Sequence, residues 1–172
     1  IFISSFPMMS IPEVGQKPIE AILLDDFRWK RSNIKATSLL ASVLYKIEAK
    51  EKNVTEVILH EDGFITEGSV SNIFCVKDQM IKTPSLESNI LPGVTRKVLL
   101  EIIKNNNFNI EETDVSKDDL FSSDEVWMTN TTKGIIPISK INQTYIVNDA
   151  SEPLYEKILE LFINEILADR IQ

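Results

Sequence analysis

Two periods of hydrophobic and polar residues alternate along this chain, and the switches between them predict its elements. Leu39, Leu40, Val43, Leu44 and Ile47 recur at helical spacing, with Lys46, Glu48, Lys50, Glu51 and Lys52 on the other face. This spacing predicts an amphipathic helix capped by Thr37 or Ser38, its apolar stripe facing the core. Val94, Val98, Leu99, Ile102 and Ile103 predict a second helix, ended by Asn105-Asn106-Asn107. Leu154, Ile158, Leu161, Phe162 and Ile166 predict a third over 152–167. Short apolar or alternating runs at 19–24, 54–60, 64–67, 72–77, 80–83, 108–113, 125–129 and 135–141 read as strands. Asp62-Gly63 marks a tight hairpin turn, and 114–121 reads as a short acidic helix or turn. Pro137 demotes the centre of the last run toward a sheet edge or a bulge. Residues 1–6 read as a strand, followed by an irregular stretch punctuated by Pro7, Pro12 and Pro18. Residues 1–17 are therefore expected to be the end of a preceding domain plus a linker, and 18–172 a further domain.

Composition narrows the chemistry. The net charge of -8 disfavours a broad nucleic-acid surface, which needs a basic stripe. It also means that any anion site must be local, built from N–H groups and a few cations. One cysteine and one histidine exclude a disulfide framework and argue against a Cys- or His-rich metal centre, so no metal is expected. Cys75 lies in an apolar strand and reads as inert core; His60, beside the turn, reads as an exposed edge residue. No apolar run reaches membrane-spanning length and no signal-peptide pattern is present, which points to a cytoplasmic protein.

Candidate chemistry concentrates in 67–96. Glu67 ends an apolar run and is followed by the small polar residues Ser69, Ser71 and Asn72. Pro92-Gly93-Val94-Thr95-Arg96 then opens a helical pattern. A helix mouth of this kind offers unpaired N–H groups to an anion such as phosphate. A carboxylate beside a phosphate cradle suggests a site for a phosphorylated cofactor carrying a basic nitrogen. Lys35, between Ile34 and Ala36 just before a helix, reads either as a side chain snorkelling to solvent or as an amine in a dry pocket. Glu67 alone also reads as a surface acid by a turn, Thr95 as a plain helix cap, and Thr131-Thr132 as an ordinary polar turn.

Taken in order, the segments RWKRSNIKATSLL, AKEKNVTEVILHEDGFITEGSVSNIF, SNILPGVTRKVLLE and DEVWMTNTTKGIIPI resemble the fold type IV (class IV) pyridoxal-phosphate-dependent aminotransferases over nearly all of 19–141. The wording around Arg28-Trp29, Lys35 and Ile90-Leu91 is closest to D-amino-acid aminotransferases. The resemblance implies an α/β (α+β) fold: a mixed, mostly antiparallel sheet curved into a pseudo-barrel and flanked by helices. It implies pyridoxal 5'-phosphate as cofactor, with Lys35 forming the aldimine and shuttling the Cα proton. Glu67 matches the partner of the pyridine nitrogen, and Leu91 an apolar residue on the ring face. Gly93, Val94, Thr95 and Thr131 match the phosphate cradle, with Thr132 near phosphate or substrate carboxylate. Val70, Gly134 and Thr55 depart from patterns common in relatives and bear on substrate choice. The implied reaction is transfer of an amino group between an amino acid, a D-amino acid such as D-alanine, and a 2-oxo acid, in a homodimer. A branched-chain aminotransferase, an aminodeoxychorismate lyase on the same scaffold, and a non-catalytic cofactor-binding fragment are the alternatives. The family's smaller N-terminal domain supplies an arginine to the phosphate, and the residues preceding 18 are expected to be its remnant.

Overall fold

A computed structural model of the chain describes residues 3–4, 16–146 and 153–169. The expected strand over 1–6 and the start of the last helix at 152 fall wholly or largely outside these residues. The described residues form β1 (Ile19–Asp25), α1 (Leu40–Glu51), β2 (Glu56–Glu61), β3 (Phe64–Gly68), β4 (Asn72–Lys77) and β5 (Met80–Pro84). They continue with α2 (Val94–Asn105), β6 (Asn109–Thr113), α3 (Lys117–Ser122), β7 (Glu125–Asn130), β8 (Gly134–Ile141), β9 (Thr144–Tyr145) and α4 (Leu154–Asp169). The strand order is β3-β2-β1-β8-β7-β4-β5-β6, with β9 paired to β8. β1 runs parallel to β2 and β8, and β5 parallel to β6; the other pairs are antiparallel. This is the mixed, mostly antiparallel sheet expected. It curls, because the Ile65 N–H donates to the carbonyl of Val115 and Phe64 bridges Ser116, drawing the β3 edge across to the far side.

The curl gives the strands two buried faces, which explains their nearly unbroken apolar runs. Ile58, Ile65, Ile73, Cys75, Val126 and Met128 point into the curl. Their neighbours Phe74, Val76 and Trp127 point outward under α2 and α4, while Val57 and Leu59 point outward under α1. Burial pushes the Cys75 thiol up to about 12, so it stays protonated core. The Asp62-Gly63 turn holds both residues at positive φ (50° and 88°), the geometry of the two-residue hairpin expected there.

Three expectations fail and a fourth holds only in part, each for a tertiary reason. The helix α1 has Leu39 at its N-cap and no side-chain cap, so neither Thr37 nor Ser38 caps it. It packs on β2 through Tyr45 and Ala49, while Leu39, Leu40, Val43, Leu44 and Ile47 are 46% to 71% exposed. A tyrosine whose hydroxyl finds backbone partners and a small alanine fit closely on the sheet; the bulkier stripe faces away. The strand β8 lies inside the sheet, so of the two expectations for Pro137 the bulge is met and the edge is not. The strand accommodates Pro137 because pairing with β1 begins only at Ile138, next to a bulge between Ile19 and Glu20. His60 is half-buried, its Nε2 3.3 Å from Asp25 Oδ1.

Candidate active site

The site lies where several strand ends coincide. In the β4–β7 ladder Asn72 pairs with Thr129, so the start of one strand and the end of the other share a level. The β3 end, carrying Glu67, leads through a tight turn into that same start. The turn closes with Gly68 N–H donating to Ser71 O. Residues 26–39 follow the end of β1 and return across the opening, and α2 begins beside it. Together they enclose a cavity of ≈ 310 Å³. Its wall includes Arg28, Lys35, Glu67, Asn72, Leu91, Gly93, Val94, Thr95, Thr129 and Thr131. Thr132 sits on the same loop off this wall, its hydroxyl donating to Asn130 Oδ1. Lys35 is exposed at the cavity rather than buried.

Glu67 is buried and well partnered. Its Oε2 accepts from Asn72 Nδ2 at 3.1 Å and from Leu91 N–H at 3.0 Å, and its Oε1 pairs with Arg28 Nη1. Burial raises its pKa above the ordinary carboxylate value, with Arg28 opposing that rise. Arg28 is gripped in turn by Asp26, Nε donating to Oδ1 at 2.9 Å and Nη2 to Oδ2 at 2.7 Å. Thr66 Oγ1 also donates to Asp26 Oδ2 at 2.7 Å. Burial would raise Asp26, but hydrogen bonds and charge from Arg28 outweigh it and leave its pKa lowered. The loop carrying Arg28 is pinned from below: the Tyr45 hydroxyl donates to Asp25 O and accepts from Phe27 N–H, each at 2.8 Å.

A second carboxylate, Glu56, is wholly buried under the 69–71 turn. It accepts from Ser69 Oγ and Ser71 Oγ, from Val57 N–H, and from Lys46 Nζ at 3.0 Å. This knot fixes the turn between Glu67 and Asn72, with exposed Val70 at its tip. Sequence reasoning missed Arg28, Asp26, Glu56, Asn72 and Thr129. The short spacing from Asp26 to Arg28 was a weak signal; Thr129 had none.

Two observations test whether these residues fit a phosphorylated cofactor. The mouth of α2 has Gly93 as N-cap with no side-chain cap, leaving its first N–H groups to an outside acceptor. Thr129 lines the cavity and its buried Oγ1 has no hydrogen-bond partner among the described residues, and a buried hydroxyl without a partner is costly. An anion acceptor at this wall would satisfy the helix mouth, with Thr129 next to it, while Glu67 offers an acceptor to a basic ring nitrogen. The donor set fits.

The family model described as Amino-transferase class IV matches residues 1–141. The chain belongs to the class IV aminotransferases. Among class IV relatives, the D-alanine aminotransferase of Bacillus licheniformis is 37% identical over 165 residues, covering 96% of this chain and 58% of that protein. The branched-chain aminotransferase from Thermoproteus uzoniensis, solved with norvaline, superposes with a TM-score of 0.83 at 26% identity, over 96% of this chain and 56% of that one. The PLP-form of the branched-chain amino acid aminotransferase from Thermobaculum terrenum has a TM-score of 0.82 at 21% identity, over 95% and 55%, a likeness of fold. The chain thus spans about half the length of the class IV relatives it matches. Among the described residues no helix is long and apolar enough to cross a membrane.

Proposed function

We propose that this chain holds pyridoxal 5'-phosphate for transamination between an amino acid and a 2-oxo acid, with a D-amino donor such as D-alanine. The observation that carries this reading is the convergence of Lys35, Glu67 and the uncapped mouth of α2 on one cavity. When bound, the cofactor supplies an aldehyde and an electron-withdrawing ring. Lys35 would be the amine that holds the cofactor and the group that moves the proton at the substrate Cα. Glu67 Oε1 would accept a hydrogen bond from the protonated ring nitrogen. The N–H groups of Val94 and Thr95, with the hydroxyls of Thr95, Thr129 and Thr131, take the phosphate. Gly93 would leave room for it, Leu91 would pack against the ring, and Thr132, on the same loop but off the wall, would serve the phosphate or substrate carboxylate.

The D-donor reading rests on the likeness to the Bacillus licheniformis protein. A branched-chain donor is the second reading, favoured by the likeness to the norvaline-bound enzyme; aminodeoxychorismate is the lyase control. A homodimer in the cytoplasm completes the reading, and the exposed apolar stripe of α1 supports the dimer. Adding pyridoxal phosphate to the purified chain is expected to give a visible absorbance band that Lys35→Ala abolishes. A folded wild-type chain with no band sinks the reading. Turnover of D-alanine against L-leucine, each with 2-oxoglutarate, and of aminodeoxychorismate alone then sorts the substrates.

A further inference from the structure

We infer that Arg28, clamped by Asp26, is a positioning residue that holds Glu67 as a carboxylate with one acceptor position open to the cofactor's ring nitrogen. This rests on the cofactor reading above and assigns a residue that reading does not use. Lone-pair accounting carries it. A carboxylate offers about four acceptor positions. On Glu67, Oε2 takes Asn72 Nδ2 and Leu91 N–H, and Oε1 takes Arg28 Nη1. One position on Oε1 is left, and Glu67 lines the cavity.

Burial sets the need for Arg28. The Glu67 side chain is 7% exposed, and a carboxylate at that depth takes up a proton unless a cation faces it. A protonated Glu67 no longer offers the ring nitrogen a charged acceptor. The charged groups around it are few: Arg28 and Asp26 on the segment after β1, and Lys35 further along the same loop at the cavity wall. From β4 and the approach to α2 it meets only the neutral donors Asn72 and Leu91. Arg28 cannot swing away at low cost. Its Nε and Nη2 form a two-pronged bond to Asp26, and its own backbone N–H donates to Asp26 Oδ1 at 3.0 Å. The spare Nη1 is the arm that reaches Glu67. Lysine has the charge but not the fork, and cannot hold both carboxylates in this way.

The test compares wild type with Arg28→Met and Arg28→Lys, using the whole chain. Carboxyl-labelled glutamate, assigned through Glu67→Gln, reports the titration of Glu67 by carbon NMR without any cofactor. The expectation is titration at higher pH in Arg28→Met, with only part of the shift reversed in Arg28→Lys, which restores the charge without the fork. In the cofactor-loaded protein the pH at which the visible band changes should move the same way, and affinity for pyridoxal phosphate should fall about tenfold, one charge-assisted hydrogen bond's worth. If Arg28→Met does not fold, Arg28→Gln supplies a shorter neutral donor and is expected to show the same upward shift. Unchanged Glu67 titration in a folded Met or Gln variant overturns the inference. Failure of the wild-type chain to take up pyridoxal phosphate overturns instead the cofactor reading on which it rests.

Discussion

Gly93 shows how tightly single residues are matched around the site. A Cβ built there would lie 2.2 Å from Asn72 Oδ1, although the backbone conformation suits any residue. Alanine at 93 must therefore push Asn72 aside, and Asn72 Nδ2 is what joins Glu67 Oε2 to the carbonyl of Leu91. Gly93→Ala is expected to weaken pyridoxal phosphate binding at least ~10-fold, since a hydrogen bond to a charged group is worth ~1.5–3 kcal/mol. Equilibrium titration of the visible band measures this, while near-UV circular dichroism should show the core intact. Lys35, Glu67 and Thr95 sit at boundaries where periodicity breaks, but each kept a bland reading until the resemblance singled it out; the structure places all three on one cavity wall. Arg28 and Thr129 were not legible in the sequence. The meaning of Arg28 lies in a contact across 39 residues, and that of Thr129 in a missing partner. Neither leaves a mark on local pattern.

At the level of elements, α4 is tied to the sheet by one carboxylate. Glu125 on β7 accepts from Leu154 N–H at 2.7 Å and from Tyr155 N–H at 2.9 Å, and also from Trp127 Nε1 at 2.9 Å. It acts as a helix cap supplied from another element, favoured by the helix dipole. Glu125→Ala strands two helix N–H groups and a buried indole N–H. At roughly 1–3 kcal/mol for each unsatisfied donor, a loss of about 3 kcal/mol or more is expected in urea unfolding. A loss under about 1 kcal/mol would show that water replaces the carboxylate. The helices themselves were readable from their stripes. The buried side of α1 was not, because a strongly apolar stripe competes for attention with the Tyr45–Ala49 face, and only contact with β2 decides between them.

Across the whole molecule, the order of strands was beyond the sequence. Which strands are neighbours depends on crossovers such as β1 between β2 and β8, and no local period encodes a crossover. The curl gathers the functional loops at one opening, whose rim carries exposed Phe27, Trp29, Ile34, Val70 and Val94 beside the α1 stripe. So many exposed apolar side chains around one opening and one helix are unusual on a free monomer. Sedimentation velocity is expected to show self-association that Leu44→Glu with Ile47→Glu removes, while far-UV circular dichroism stays unchanged. A concentration-independent monomer would refute this. The two faces of α1 also have a consequence for how the helix can change over generations. Changes at Tyr45 or Ala49 strike the fold directly, whereas changes at Leu40, Val43 or Leu44 touch no core contact of their own chain. Under the proposed association through this stripe, folding and assembly are separately mutable in one helix, and a variant would keep its melting temperature while losing its contact with a second copy.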